Sequence, residues 1–271
     1  MTLTARRPAP RRRRLIRAWA LGLVPVLVLA VVLVAVALVR RSSGAAAVGP
    51  DAAPGPVLLV SGYGGSTQAL GPLAASLTAA GRTPIVVPPV GDNTGDLRAQ
   101  AAALDQVARA QLSAGARSVD VVGYSAGGVV VRLWAAELGG AAIARRVVTL
   151  GSPHHGTDLA ALAQSLGGGT CPTACQQLAP DNAVLTGLPE APSGPQWTSI
   201  WTADDDVVSP PSSAVLQGAV DVELQQVCPA VTASHADLPR AGLTLGLVAL
   251  ALDGPPLTAV PAPSRCAELS R

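Results

Sequence analysis

One serine, a pair of adjacent histidines, a third histidine and three consecutive aspartates are the residues of this chain that could do chemistry together. The serine is Ser125, in Gly123-Tyr124-Ser125-Ala126-Gly127-Gly128, a G-x-S-x-G arrangement. A hydroxyl becomes a nucleophile when a base takes its proton, and a carboxylate on the far side of an imidazole base fixes its tautomer. The chain has three histidines: His154 and His155 in Gly-Ser-Pro-His-His-Gly-Thr, and His235 in Ser-His-Ala-Asp. Asp204, Asp205 and Asp206 are the clustered carboxylates. Three adjacent carboxylates could also attract calcium, but the glycine and glutamate of an EF-hand loop are missing, and no metal is expected.

G-x-S-x-G is common by chance in a chain with 28 Gly, so its meaning depends on the elements around it. Short apolar runs at 56–61, 84–88, 118–122, 146–150, 197–202 and 220–227 read as strands. Helical patterns at 67–80, 96–114, 126–138 and 241–252 alternate with them. Uninterrupted apolar strands alternating with helices predict a mainly parallel sheet of about six strands, covered on both faces. Ligand sites in such sheets lie at the carboxyl ends of the strands. Ser125 falls between a strand and a helix. A tight turn there lifts its Oγ above the sheet, and glycines two before and two after leave room for the turn. The new helix aims its N-terminal dipole at the reacting centre.

With that elbow in place, the chain resembles the α/β-hydrolase fold, and more narrowly the small secreted bacterial lipases and esterases. The resemblance covers about 56–253 and rests on five features in family order: V-L-L-V-S-G-Y-G-G-S, G-Y-S-A-G-G, G-S-P-H-H-G-T, D-x-V-V-x-P and the late histidine. It implies an α/β fold with the triad in the order serine, acid, histidine. Only His235 leaves room for an acid after Ser125. Matching D-x-V-V-x-P onto Asp205-Asp206-Val207-Val208-Ser209-Pro210 selects Asp205, with Asp204 and Asp206 as solvated neighbours. The segment that holds His154 and His155 helps shape the pocket in the family, so the resemblance implies that these two are structural or pocket-lining and not the base. The implied oxyanion hole is the backbone N–H of Tyr63 and of Ala126. Ser61 stands where the family places a histidine before the first loop glycine.

Charge is unevenly distributed. All 19 basic residues are Arg, and nine lie at or before Arg41. The other 10 face all 17 acidic residues, so residues 42–271 carry 10 − 17 = −7. The pI of about 8.5 therefore belongs to the N-terminus. A nucleic-acid partner is not expected, because it needs a basic surface on the folded domain. Residues 1–17 form an Arg-rich head, and 18–39 run 22 residues without a charge. That is long enough to span a bilayer and long for a cleavable signal. Seven Arg before the span against two after it predict a cytoplasmic N-terminus and an external body. Cleavage near Ala47 with release is the alternative. Residues 40–55 read as a linker and 254–271 as a tail. Four Cys fit an exported domain with two disulfides; 171–175 and 228–266 are the expected pairs.

These features predict an extracytoplasmic serine hydrolase of carboxylic esters, monomeric and without a cofactor. It would sit in the cell membrane through its N-terminal helix. Insertion 158–196 could act as a partial cap, and its leucines serve either an acyl site or ordinary packing. Alternatives are an acyltransferase with the same triad, a peptidase, or a non-catalytic surface binding protein on a hydrolase fold.

Overall fold

A computed structural model describes residues 47–158 and 171–271. The Arg-rich head, the apolar 18–39 segment and the cleavage stretch before Ala47 lie outside the described residues, as do 159–170 of the expected cap, with Leu159, Leu162 and Leu166. Among the described residues no helix is long and apolar enough to cross a membrane.

Six strands form one sheet: β1 (Val57–Val60), β2 (Pro84–Val86), β3 (Val119–Tyr124), β4 (Ala144–Leu150), β5 (Gln196–Trp201) and β6 (Val220–Glu223). Every neighbouring pair is parallel, in the order β2-β1-β3-β4-β5-β6. The described helices are α1 (Gly71–Ala79), α2 (Leu97–Ser113), α3 (Ala126–Glu137), α4 (Thr173–Gln177), α5 (Ala183–Thr186), α6 (Leu224–Val227), α7 (Gly242–Leu252) and α8 (Cys266–Leu269). Both faces of the sheet are covered, which is why β1 is apolar throughout and the middles of β3 and β4 are Val-rich. Leu58 and Val60 of β1 point into one core with α2 and α3. Val57 and Leu59 point into the other with α1 and α7.

The 220–227 run, expected as a strand throughout, switches to helix after Glu223. Leu224 and Val227 are both fully enclosed while Gln225 and Gln226 between them are not, a helical rather than an alternating burial pattern. The compact unit runs from Ala47 to Arg271, wider than 56–253. The 47–55 stretch is fastened by its carbonyls: Arg146 Nε donates to Pro50, Ser118 Oγ to Ala53 and Arg82 Nη2 to Gly55. The tail is held by the Cys228–Cys266 disulfide and by Leu269 in the second core. The other disulfide joins Cys171 and Cys175, so both pairs are those expected.

Under the sheet, at the strand starts, Asp120 is fully enclosed and accepts from both Arg145 and Arg82. A register shift between β3 and β4 at Val119/Asp120 makes room for two consecutive arginines at the start of β4. Arg146 donates to the carbonyls of Ala251, Asp253 and Gly254. This buried network ties the end of α7 and the 47–55 arm to the pole opposite the strand ends.

Candidate active site

Sequence order reverses between β1 and β3, which lie side by side although β2 separates them in the chain. Their following helices therefore pack on opposite faces, α1 with one core and α3 with the other. A crevice opens between the two loops at such a switch point. The loop after β1 begins at Ser61, and the turn after β3 is Ser125.

Ser125 adopts φ 56, ψ −130, one of two non-glycine residues with positive φ among those described. Such a conformation costs about 1–3 kcal/mol and persists only where the surroundings enforce it. The enforcement is visible. Ser125 N–H donates to Leu150 O at 2.8 Å, and α3 starts at the next residue. The flanking glycines are required by close approach: a Cβ on Gly123 would lie 2.7 Å from Gly127 O, and one on Gly127 would overlap the Val60 carbonyl.

Ser125 Oγ stands 2.9 Å from His235 Nε2, and His235 Nδ1 stands 2.8 Å from Asp205 Oδ2. The His235 and Asp205 side chains are 6% and 2% exposed, so the bond between them is shielded from water. An ionised carboxylate can only accept, so Nδ1 carries the proton and Nε2 faces the serine with its lone pair. Asp205 is aimed by its other oxygen, which accepts the Val207 and Val208 N–H groups at 3.0 and 2.7 Å. His235 opens a one-turn 3-10 helix whose Ser234 and Asp237 cap one another. Ser234 and Arg240 hydrogen bonds pull the Asp237 carboxyl down to about 2. Asp206 is more than a solvated neighbour, because its Oδ1 accepts the His235 backbone N–H at 3.1 Å. Asp204 bonds Gln225 Nε2 instead.

The other two histidines are placed elsewhere. His154 is fully enclosed, and its Nε2 meets Thr149 Oγ1 at 3.1 Å. Thr149 donates on to Ser199, and Ser199 to the Ala214 carbonyl, which can only accept. The chain of donors therefore puts the His154 proton on Nε2. Burial, then the charges of Arg132 and His155, hold its pKa well below the usual 6.5. His155 is half-exposed and faces Glu190 at 3.1 Å.

Tyr63 lies in the turn after β1, closed by Gly65 N–H donating to Gly62 O at 3.2 Å, and Ala126 is the first residue of α3. Gly62 abuts the serine: a Cβ there would lie 2.8 Å from Ser125 Cβ. The two expected oxyanion donors thus belong to the two segments that meet at Ser125.

Three contributors to the site are not among the residues to which the motifs assign a role: Arg132, Tyr124 and Asn93. Arg132, seven residues into α3, is 1% exposed and donates to four backbone carbonyls, those of His154, Leu188, Pro189 and Glu190. It locks the 151–157 and 188–190 segments to the helix that carries the elbow. A charged residue inside Val129-Val130-Val131-Arg132-Leu133-Trp134 was the available clue. Tyr124 reaches the His235 carbonyl and Asn93 reaches Ser61. Among the described residues no three metal-ligating side chains come together.

No family model matches this chain, and no curated protein matches its sequence. Solved structures do share its fold. The mature form of the Bacillus licheniformis lipase BlEst2 superposes with a TM-score of 0.59 at 19% identity, covering 76% of this chain and 94% of that one. Aspergillus fumigatus lipase B superposes with a TM-score of 0.66 at 19% identity, covering 82% of this chain and 57% of that one. The propeptide form of the Bacillus lipase gives 0.59 at 18% identity, covering 80% and 54%. The chain thus spans little more than half the length of the last two. At these identities the likeness establishes the fold, the α/β-hydrolase fold, which the three structures share with this chain.

Proposed function

We propose that the protein is a serine hydrolase that cleaves carboxylic esters through an acyl-enzyme, with Ser125 as nucleophile, His235 as base and Asp205 as the acid that orients it. The observation that carries this reading is the unbroken series Ser125 Oγ to His235 Nε2 at 2.9 Å and His235 Nδ1 to Asp205 Oδ2 at 2.8 Å, at the tip of a strained elbow. His235 takes the Ser125 proton as Oγ attacks the ester carbonyl. The oxyanion of the tetrahedral intermediate is held by the Tyr63 and Ala126 N–H groups, one such donor being worth about 3 kcal/mol. His235 then gives its proton to the departing alcohol. Water activated by His235 releases the acid and restores Ser125. No step calls for a metal or an organic cofactor.

The same reading puts the domain outside the cytoplasm. Two disulfides fit an oxidising compartment. The Arg-rich head and 22-residue uncharged segment fit an export signal or anchor. The solved structures that share the fold include enzymes described as lipases, which favours ester substrates with apolar acyl groups.

A fluorophosphonate probe and p-nitrophenyl esters test the proposal. The probe is expected on Ser125, and Ser125→Ala is expected to lose both labelling and ester turnover. Full turnover in Ser125→Ala would refute it.

A further inference from the structure

In the proposed mechanism the loop after β1 has to hold a backbone donor against Ser125, and its first residue is the small, buried Ser61. What braces it comes from another part of the chain. Asn93 is 4% exposed, and it is the second non-glycine residue with positive φ, at 55. Asparagine tolerates that left-handed conformation better than most residues. The chain has only one other Asn, Asn182.

The orientation of the Asn93 amide is fixed by its neighbours. Val90 N–H donates to Asn93 Oδ1 at 2.8 Å, and an N–H can only donate, so the oxygen must face Val90. The NH2 group therefore faces the β1 loop. It lies 3.2 Å from Ser61 Oγ and at a longer 3.5 Å from Gly62 O. Gln100 Nε2 holds the Asn93 carbonyl at 3.2 Å, which ties the turn to α2. Ser61 itself is 2% exposed, so the Asn93–Ser61 bond is sheltered from water. Gly62 is the residue packed on Ser125, and Gly62 and Tyr63 share the peptide whose N–H faces the reacting centre in the proposed mechanism.

We infer that Asn93 is a positioning residue for the oxyanion hole: its side-chain amide fixes the Ser61–Gly62 segment and, through it, the Tyr63 N–H. It touches no substrate. It acts by restricting the loop to the geometry in which the donor meets the oxyanion, so its effect belongs to the transition state and not to the bound ester. The inference rests on the serine-hydrolase reading above.

Asn93→Gly keeps the positive φ and removes both amide contacts, and Ser61→Ala removes only the nearer acceptor. Steady-state hydrolysis of a p-nitrophenyl ester is measured well below each variant's unfolding midpoint. Asn93→Gly is expected to lower kcat about 10- to 100-fold with KM within about twofold. Ser61→Ala is expected to lower kcat about threefold or more, and the double variant to fall no further than Asn93→Gly alone, because the two act through one contact. Affinity for a boronic acid, a tetrahedral analogue, is expected to drop in step with kcat/KM. A purely structural role would move the unfolding midpoint and leave kcat and boronate affinity unchanged.

If Asn93→Gly fails to fold, Ser61→Ala decides. An active wild type with kcat unchanged in the folded variants overturns the role of Asn93 alone. A wild type that neither hydrolyses esters nor takes the fluorophosphonate overturns the hydrolase reading, and this inference with it.

Discussion

Tyr124 holds His235 from behind. The residue immediately before the elbow serine donates its phenol O–H to the His235 backbone carbonyl at 3.2 Å, and its ring lies 5.2 Å from the imidazole. Strand alternation points Tyr124 into the core shared with α7. One strand end thus presents the Ser125 hydroxyl and, one residue earlier, a support for the histidine that faces it. Burial first, and then the charges of Asp205 and Asp206, push the phenol well above its ordinary pKa of 10. It remains a protonated donor at neutral pH.

Tyr124→Phe keeps the ring and removes this bond. The expected cost is about 1 kcal/mol of stability, the net worth of a typical hydrogen bond. Turnover of a p-nitrophenyl ester is expected to fall about threefold to tenfold, since a loosened base spends less time in the productive pose. Thermal unfolding and kcat together check this, and an unchanged kcat would show that the carbonyl bond does not position His235.

Gly151 follows the end of β4 with φ 53, against the Asp205–His235 bond. A Cβ there would lie 3.2 Å from both Asp205 Oδ2 and His235 Nδ1, and 2.5 Å from Leu238 Cδ1. Gly151→Ala combines a strained backbone with overpacking, which together cost about 2 kcal/mol or more. Because the crowding falls on the Asp205–His235 contact, kcat is expected to drop about 100-fold or more. A variant with lowered stability and normal kcat would place the strain elsewhere.

His154 is expected to make stability depend on pH. It is neutral in the folded protein because burial, Arg132 and His155 oppose its protonation, whereas in the unfolded chain it protonates near 6.5. Below that pH the unfolded state binds the extra proton, so stability is present above about 6.5 and is lost as pH falls. The slope for one proton is at most about 1.4 kcal/mol per pH unit. Urea unfolding between pH 7.5 and 5.5 should show this loss. His154→Gln, which retains a donor for Thr149 and does not titrate, should show a flatter profile. An identical slope in the variant would assign the effect to another group.

The two disulfides should differ in worth. Cys228–Cys266 closes 38 residues and Cys171–Cys175 only 4. Loop-closure entropy gives about 4 kcal/mol for the first and about 2 kcal/mol for the second. Serine replacement of each pair, followed by denaturant unfolding, should reproduce that order. The long bridge should matter more for kcat as well, since Cys228 ends α6, on the path from β6 to the His235 turn. Equal losses would contradict the entropic account.

Much of this arrangement was legible because it depends on local chemistry. Strand, elbow and helix around Ser125 follow from an apolar run, small residues and a helical pattern, all within twenty residues of chain. The six strands were readable for a similar reason: a sheet covered on both faces favours short runs rich in apolar residues, such as Val57–Val60. The failure at Leu224–Val227 shows the limit. Four residues after a strand can satisfy either burial pattern, and only the packing of Leu224 and Val227 in the second core selects the helix.

By itself the sequence singled out Ser125 as the candidate nucleophile and determined the fold class and the charge asymmetry between the N-terminal 41 residues and the body, because each depends on residue type, spacing or a count along the chain. The tertiary structure decided which groups meet. That Asp205 reaches the His235 ring while Asp206 holds its backbone follows from how the β5 and β6 loops face each other, and three identical side chains in a row cannot encode it. Asn93 against Ser61, Tyr124 against His235 and Arg132 against four carbonyls are likewise contacts between distant residues. Hydrogen bonds act over about 3 Å, so their partners are set by where folding brings the chain and not by sequence separation.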